Sequence, residues 1–285
     1  MLATALFTAL LAGAHAVAAD GAATALVAPD LAEQLAKFKR VRMPFDATAL
    51  NARERKMIGK LVEACRYLDR LYWQQSDPDG RLLYQQLQGQ QAADARNLRR
   101  FLRINGSRYD LIRNNEPFVG SAAAPAGANL YPPDLTREEF ERYVAAHPAR
   151  RAALYDPLAL VVRHGADLEA TPYHVAYHQW LEPMATLLRD AADLSDDPAF
   201  ANFLRLRADA LLNDDYSASD LAWLDLDNPK IDLIFAPYES YLDALLGVKT
   251  SYGAAVLVRN DVESRKLDVY LQYVPQIQDA LPLAA

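Results

Sequence analysis

Residues 236–247, APYESYLDALLG, place two carboxylates and two phenols between a proline and a glycine. The carboxylates belong to Glu239 and Asp243, and the apolar run IDLIF precedes them. In the wall of a cleft, such carboxylates would bind a cationic group of a ligand. At a tight turn, they would instead accept hydrogen bonds from backbone N–H groups. The pattern leaves both interpretations open.

His174 and His178 form a second candidate site, because they are four residues apart and Glu182 follows after four more. On one continuous helix these three side chains would share a face and could bind zinc. The HxxxH spacing outside an HExxH frame often occurs by chance. We therefore interpret the histidines as hydrogen-bonding residues and retain a metal site as the alternative.

No motif identifies a complete enzyme. The chain lacks GxxxxGK[ST], GxGxxG and GxSxG, and none of its five histidines is followed by glutamate. These absences argue against P-loop, dinucleotide-binding, α/β-hydrolase and HExxH zinc-hydrolase chemistry. The formal net charge of −7, from 30 basic and 37 acidic residues, argues against a general nucleic-acid binder. Beyond the N-terminus, no apolar stretch is long enough to span a bilayer.

The single cysteine, Cys65, lies in an amphipathic pattern that predicts a long helix from Asn51 to Gln75. Asn51 and Glu54 resemble a capping box at its start. The apolar positions recur at three- and four-residue spacing: Ile58, Leu61, Val62, Cys65, Leu68 and Tyr72. We predict that Cys65 is a small buried hydrophobic residue and not a nucleophile.

The N-terminal run MLATALFTALLAGAHAVAAD is typical of a secretory signal peptide over residues 1–19, although it lacks a basic residue before the apolar stretch. Its small residues at AHA and AVA offer a cleavage site. We therefore expect an exported, periplasmic protein. Residues 20–285 are expected to form a single mainly helical domain.

The middle of the chain combines a further helix with a long loop. A helix is expected over residues 81–102, weakened by Gly89, and residues 103–133 have no helical period. A loop of this length is typically functional or mobile. Its polar part, residues 108–116, either binds a peptide or carboxylate or is a connector with internal ion pairs.

Downstream, Thr136 and Asp197 are expected to cap helices, and Pro172 to open a helix that Pro183 kinks or ends. Strands are predicted at KIDLIFAP, SYGAAVLV and LALVVRHG. The last helix is predicted to start at Asn260, with apolar residues on one side at Leu267, Leu271, Val274, Ile277 or Gln278, and Leu281. The predicted fold is mainly α with a minor β-sheet (α+β).

The segment IDLIFAPYESYLDALLGVKTSYGAAVLV resembles a block of the dipeptidyl-peptidase III family of zinc metallopeptidases, in particular its bacterial branch. The matching positions are Glu239, Ser240, Tyr241, Asp243 and Gly247. The likeness extends from about Phe38 to the end, through stretches such as RLYWQQSDPDGRLL and GANLYPPDLTREEFE. The chain departs from the family block at Ala236, where the family has glycine, and at Tyr252-Gly253, where it has Phe-Glu.

This resemblance implies a two-lobed, mainly helical protein that binds a peptide between its lobes and uses zinc to activate water. The family's zinc-binding motif lies downstream of the matched block. The chain is thus expected to be the N-terminal, substrate-facing half, to bind no zinc alone and to lack peptidase activity. The expected partners are a peptide substrate or a missing C-terminal half. The alternative is a non-catalytic peptide-binding module or a truncated paralogue.

The resemblance also suggests which residues bind substrate. Glu239, Tyr241 and Asp243 are the candidates for a wall that binds the free ammonium of a peptide, and Asp232 is a weaker acidic candidate. No residue of the chain is assigned as catalytic.

Overall fold

The computed structural model describes residues 27–43, 45 and 47–282, with backbone only for Asp268. The expected signal peptide lies outside the described residues. The helices are α1 (Leu31–Ala36), α2 (Ala52–Ser76), α3 (Pro78–Gln86), α4 (Ala93–Asn105), α5 (Arg137–Ala146), α6 (Arg151–Leu154), α7 (Tyr173–Ala176), α8 (His178–Leu194), α9 (Pro198–Ala210), α10 (Ser217–Leu224), α11 (Asp261–Leu271) and α12 (Val274–Ala280). The strands are β1 (Tyr109–Asp110), β2 (Glu116–Pro117), β3 (Ala159–His164), β4 (Asp167–Pro172), β5 (Ile231–Glu239) and β6 (Ser251–Val258).

Helix α2 begins at the capping box expected from the sequence. The side chain of Asn51 accepts a hydrogen bond from the Glu54 N–H at 2.9 Å, and the Glu54 carboxylate accepts from the Asn51 N–H at 2.7 Å. Lys230, just before β5, donates to the same carboxylate at 2.8 Å. This ion pair connects the start of the long helix to the start of the strand that leads to residues 236–247.

The helix caps at Thr136 and Asp197 are confirmed, since each side chain accepts a hydrogen bond from the first turn of its helix. The helix predicted over residues 81–102 is instead two helices, α3 and α4. Gly89 lies between them with a φ of +82°, a left-handed conformation that glycine adopts without strain.

The buried face of α2 is rotated relative to the predicted stripe. Met57, Leu61, Ala64, Leu68 and Leu71 are buried, whereas Val62 is 40% exposed. This face packs against α8 and β6. The spacing of apolar residues along the helix is compatible with several stripes, and contacts with the rest of the fold determine which stripe is buried.

The strands of the described residues pair as separate two-stranded antiparallel sheets. The predicted strands at 230–237 and 251–258 correspond to β5 and β6, which pair with Ile231 opposite Val258 and Phe235 opposite Ala254. The third predicted strand is β3, and its antiparallel partner β4 has no counterpart among the predicted strands. The predicted mainly α fold with minor β structure is confirmed.

Two clusters of buried apolar residues hold the described residues together. The larger combines α2, α5, α8 and α9 with β3 to β6. The smaller lies around α1 and α4, where Phe101 and Phe118 meet edge to face at 4.6 Å. No helix among the described residues is long and apolar enough to cross a membrane.

The last predicted helix is interrupted. Helix α11 ends at Leu271 and α12 starts at Val274, because Pro275 has no N–H to donate to the carbonyl of Leu271. The predicted apolar side is exposed and not packed, with Leu267 61%, Leu271 63% and Ile277 57% accessible.

Candidate functional site

Residues 236–247 border a surface groove between α2 and the β5–β6 hairpin. The groove has a volume of about 390 Å³. Its walls are formed by Cys65, Leu68, Asp69 and Tyr72 of α2, by Glu239 at the end of β5 with Tyr241 and Leu242 after it, and by Ser251, Tyr252, Gly253 and Ala254 of β6. The groove thus brings together two of the predicted residues, Glu239 and Tyr241.

Glu239 ends β5 at an irregularity in the strand pairing that lies between Pro237 and Glu239. Its backbone carbonyl accepts a hydrogen bond from the Ser251 hydroxyl at 3.0 Å, which ties the end of β5 to β6. Its side chain is exposed, and its carboxylate has no hydrogen-bond or ion-pair partner among the described residues. The hydrogen bond from Ser251 fixes the backbone of Glu239, and the carboxylate, which has no partner among the described residues, is available to bind a cation.

Tyr241 is 86% exposed and forms the edge of the groove. A large exposed aromatic ring beside an unpaired carboxylate offers both an apolar face and a hydroxyl to a ligand. Tyr238, the other phenol of the segment, lies elsewhere: its hydroxyl donates to Asp220 at 2.9 Å.

Asp243 has the opposite environment to Glu239, because it is buried and its carboxylate is enclosed. It accepts hydrogen bonds from the Tyr131 hydroxyl at 2.8 Å and from the N–H groups of Leu246, Val248 and Lys249 at 2.8–2.9 Å. Burial alone would raise the pKa of Asp243, but these donors hold it below its usual value. These hydrogen bonds match the tight-turn interpretation that the sequence left open beside the cleft interpretation. Direct contact of Asp243 with substrate stays a prediction.

Asp232 lies far from the groove, near the other end of β5. It accepts hydrogen bonds from the Trp223 indole at 2.9 Å and from the Leu233 N–H at 2.7 Å. Glu239 is seven positions further along the strand, a span of about 23 Å at ~3.3 Å per residue. The structure therefore does not bring Asp232 together with the other candidates.

Sequence reasoning missed two polar residues of the groove, Asp69 and Tyr72 on α2. Asp69 forms an ion pair with Arg103 at 3.6 Å, so its charge is partly compensated. Tyr72 belongs to the apolar stripe that the sequence predicts for this helix. Their spacing of three residues puts them on one face, but only the packing of α2 against β6 shows that this face borders a groove.

The groove continues towards the long loop between α4 and α5. A smaller adjoining cavity shares Tyr72, Tyr241 and Leu242 with it and is otherwise lined mainly by loop residues, including Asn115. The arginines of the loop pair mainly with carboxylates outside it: Arg108 binds Asp77 with two hydrogen bonds of 2.8 Å, and Arg113 binds Asp30 at 2.8 Å. Arg113 also forms an ion pair within the loop, with Glu116 at 3.0 Å. Ion pairs therefore connect the loop mainly to neighbouring elements, and the loop also borders the groove.

Cys65, which the sequence predicted to be a small buried hydrophobic residue, is half-buried and lines the groove. Burial raises the pKa of its thiol to about 11. The thiol is therefore protonated near neutral pH, which agrees with the interpretation that Cys65 is not a nucleophile.

The predicted zinc alternative is not supported by the described residues. His174 and His178 lie on separate helices, because Tyr177, with φ −111° and ψ 12°, interrupts the expected continuous helix. The Nδ1 atom of His174 lies 2.8 Å from the Asp214 carboxylate, whereas His178 lies 3.4 Å from Glu182. No group of three or more possible ligands occurs in this part of the chain, so the residues described do not fit a zinc site.

No family model matches the chain. Among solved structures, the chain is similar to DPP III from Caldithrix abyssi, with 33% identity and a TM-score of 0.83 over 88% of this chain and 48% of that chain. It is also similar to dipeptidyl-peptidase III from Corallococcus sp. strain EGB, with 27% identity and a TM-score of 0.80 over 90% of this chain and 48% of that chain. A curated relative is Nudix hydrolase 3 of Arabidopsis thaliana, 26% identical over 307 residues, 89% of this chain and 39% of the relative.

These similarities confirm the resemblance to the dipeptidyl-peptidase III family. The chain has the fold of about half of a dipeptidyl-peptidase III, consistent with an N-terminal half, and it spans about half the length of the solved structures it matches. The family is zinc-dependent.

Proposed function

We propose that the chain supplies the substrate-facing wall of a dipeptidyl-peptidase III-like exopeptidase and that Glu239 binds the free ammonium of a peptide. The observation that carries this proposal is the exposed, unpaired carboxylate of Glu239 in a groove that also presents Tyr241. A charge-assisted hydrogen bond between carboxylate and ammonium would fix the peptide's N-terminus at one place. The distance of a peptide bond from this bound N-terminus would then determine whether that bond is the one cleaved.

The other groove residues suit this role. Tyr241 offers an aromatic face to the first residues of the peptide, while Asp69 adds a second negative charge on the facing helix. Asp69 is already paired with Arg103, which is why Glu239 is the better ammonium ligand. Asp243 stabilises the turn that carries the wall through its buried hydrogen bonds. Asp232 is too distant to contact the ammonium group bound by Glu239.

Zinc chemistry is not assigned to this chain. When bound in the family, zinc supplies an activated water, but the described residues offer no ligand set for it. We therefore propose that the chain alone binds peptide without hydrolysing it and that hydrolysis requires a complementary half. The chain matches only 39% of the Nudix hydrolase 3 sequence. We therefore do not propose a substrate for the groove from the name of that relative.

Binding is tested with an alanine tetrapeptide labelled at its C-terminus, with a free or an acetylated N-terminus. We expect the free-amine peptide to bind more tightly, and Glu239→Gln to remove the difference. Glu182→Gln, which changes an exposed carboxylate outside the groove, serves as the matched control. Equal binding of both peptides to the unmodified protein would refute the ammonium site.

Turnover is tested separately with a dipeptidyl-naphthylamide and added zinc. Robust hydrolysis by the chain alone would contradict the proposed division of roles. Peptide binding that persists without turnover, even after addition of a complementary half, would favour the non-catalytic binding module.

Export is also part of the proposal, on the basis of residues 1–19. Cell fractionation with N-terminal sequencing of the mature protein tests it. A mature chain that starts after the AHA or AVA site and lies in the periplasm supports export.

A further inference from the structure

The turn between β5 and β6 is held in place by hydrogen bonds with buried residues that do not border the groove. Asp243 receives the Tyr131 hydroxyl at 2.8 Å together with N–H groups of the turn itself. Tyr131 precedes α5 and is 4% exposed, so this bond is buried and connects two distant parts of the chain. A buried hydrogen bond to a charged group is stronger than a neutral one.

Lys249 provides the second attachment, at the other end of the same turn. Its side chain is fully buried, and its amino group donates to the carbonyls of Leu154 at 2.8 Å and Asp156 at 2.6 Å. The amino group also lies 5.8 Å from the centre of the Tyr131 ring. Tyr131, Asp243 and Lys249 therefore form one buried cluster under the turn.

This cluster is connected to the proposed ammonium site through the turn. Asp243 follows Tyr241 by two residues, and Lys249 precedes Ser251 by two. Ser251 in turn donates to the carbonyl of Glu239 at 3.0 Å. The positions of Glu239 and Tyr241 thus depend on a turn whose two ends are held by Asp243 and Lys249.

We propose that Tyr131, Asp243 and Lys249 are positioning residues that set how strongly the groove distinguishes a free peptide N-terminus from a blocked one. This inference rests on the proposed function of Glu239. An ammonium contact depends on the placement of one carboxylate, whereas apolar contact with Tyr241 tolerates small movements. Loosening the turn should therefore reduce the preference for the free amine more than it reduces binding of the acetylated peptide.

The test measures the ratio of dissociation constants for the acetylated and the free-amine tetrapeptide. We expect Tyr131→Phe, which removes only the hydroxyl, to lower this ratio by about fivefold, a smaller effect than the loss of a whole hydrogen bond to a charged group, because the carboxylate of Glu239 is displaced and not removed. The matched control is Tyr143→Phe, which removes another Tyr–Asp hydrogen bond, that of Tyr143 to Asp167 at 3.1 Å. The control should leave the ratio unchanged.

The failure of this inference is distinguishable from failure of the proposed function. If the unmodified protein shows no preference for the free amine, the ammonium site itself is wrong. If it shows a preference that Glu239→Gln removes but Tyr131→Phe leaves unchanged, the positioning role is wrong. A purely structural role would lower the melting temperature of Tyr131→Phe and leave the ratio intact.

Hydrogen exchange provides a second measurement that needs no ligand. The N–H groups of Leu246, Val248 and Lys249 donate to Asp243 and should exchange faster in Tyr131→Phe than in the unmodified protein. Amides of α9 should exchange at unchanged rates. Uniform acceleration across the chain, or no acceleration in the turn, would overturn the positioning role.

Discussion

Glu239 and Asp243 are four residues apart, yet the carboxylate of Glu239 is exposed with no partner among the described residues, and that of Asp243 is buried with four donors. The same short segment therefore supplies both a free charge at the surface of the groove and an internal anchor for the turn. Local sequence spacing does not distinguish these roles, and the difference has a direct consequence for stability.

We expect Asp243→Asn to lower the free energy of unfolding by about 3 kcal/mol, because an amide accepts fewer of the surrounding donors and leaves some of them unpaired in the interior. Glu239→Gln should change it by less than ~0.5 kcal/mol, because its side chain is exposed and its carboxylate has no hydrogen-bond or ion-pair partner among the described residues. Urea denaturation of both variants measures the difference. Similar losses for the two variants would contradict the assignment of Asp243 as the anchor.

The sequence identified this segment as a candidate site, but it did not show which of the two carboxylates is exposed and which is buried. The strands β5 and β6 followed from their β-branched residues, and Glu239, Tyr241 and Asp243 followed from the family block. The enclosure of Asp243 depends on Tyr131, which is 112 residues away in the chain. No local pattern encodes a contact across that separation, since it arises when α5 and the hairpin pack into one core.

The histidines show the same limit in a different way. A period of four residues predicted one helical face, but Tyr173 and Tyr177 are buried among aromatic rings, with Tyr252 6.0 Å and 6.4 Å from them. The Tyr177 backbone departs from helical geometry there, so α7 and α8 are separate helices and the one continuous helix that the spacing predicted does not form. Tertiary packing of the tyrosines thus outweighs the local helical preference.

We expect Lys249→Met to flatten the rise of stability with pH between about pH 8 and about pH 10.5. Burial lowers the pKa of Lys249 from 10.5 in an ordinary environment to about 8, with Asp156 and Asp243 opposing this shift. Between these values the unfolded chain binds one more proton than the folded chain, so Lys249 makes stability increase as the pH rises. In Lys249→Met this contribution is absent, whereas the ionisation of other groups is retained.

Urea unfolding of both proteins at several pH values across this window gives the difference in slope. Lys266→Met, which changes an exposed lysine, is the matched control and should retain the slope of the unmodified protein. A slope for Lys249→Met equal to that of the unmodified protein would show that Lys249 does not titrate in this range.

We expect His174→Ala to lower stability by about 1–2 kcal/mol without changing metal content. The Asp214 carboxylate is half-buried and is 2.8 Å from the imidazole, so removal of the ring leaves it with only the backbone N–H of residue 174. His178→Ala, which removes an exposed side chain, should change neither quantity. Elemental analysis after dialysis against zinc, together with thermal unfolding, tests both expectations. Stoichiometric zinc that is lost in either variant would restore the metal-site alternative.

We expect the exposed apolar residues of α11 and α12 to promote association of the isolated chain. Leu267 and Leu271 are 61% and 63% exposed, so water contacts apolar surface that would be buried when molecules associate. The double change Leu267→Glu with Leu271→Glu should reduce concentration-dependent association in sedimentation experiments. It should leave the melting temperature of the monomer nearly unchanged, because neither side chain is part of a buried cluster. Leu221→Glu, at a 63% exposed position on α10, is the control for a general solubility effect of added charge. Equal reduction by the control would attribute association to overall charge and not to this face.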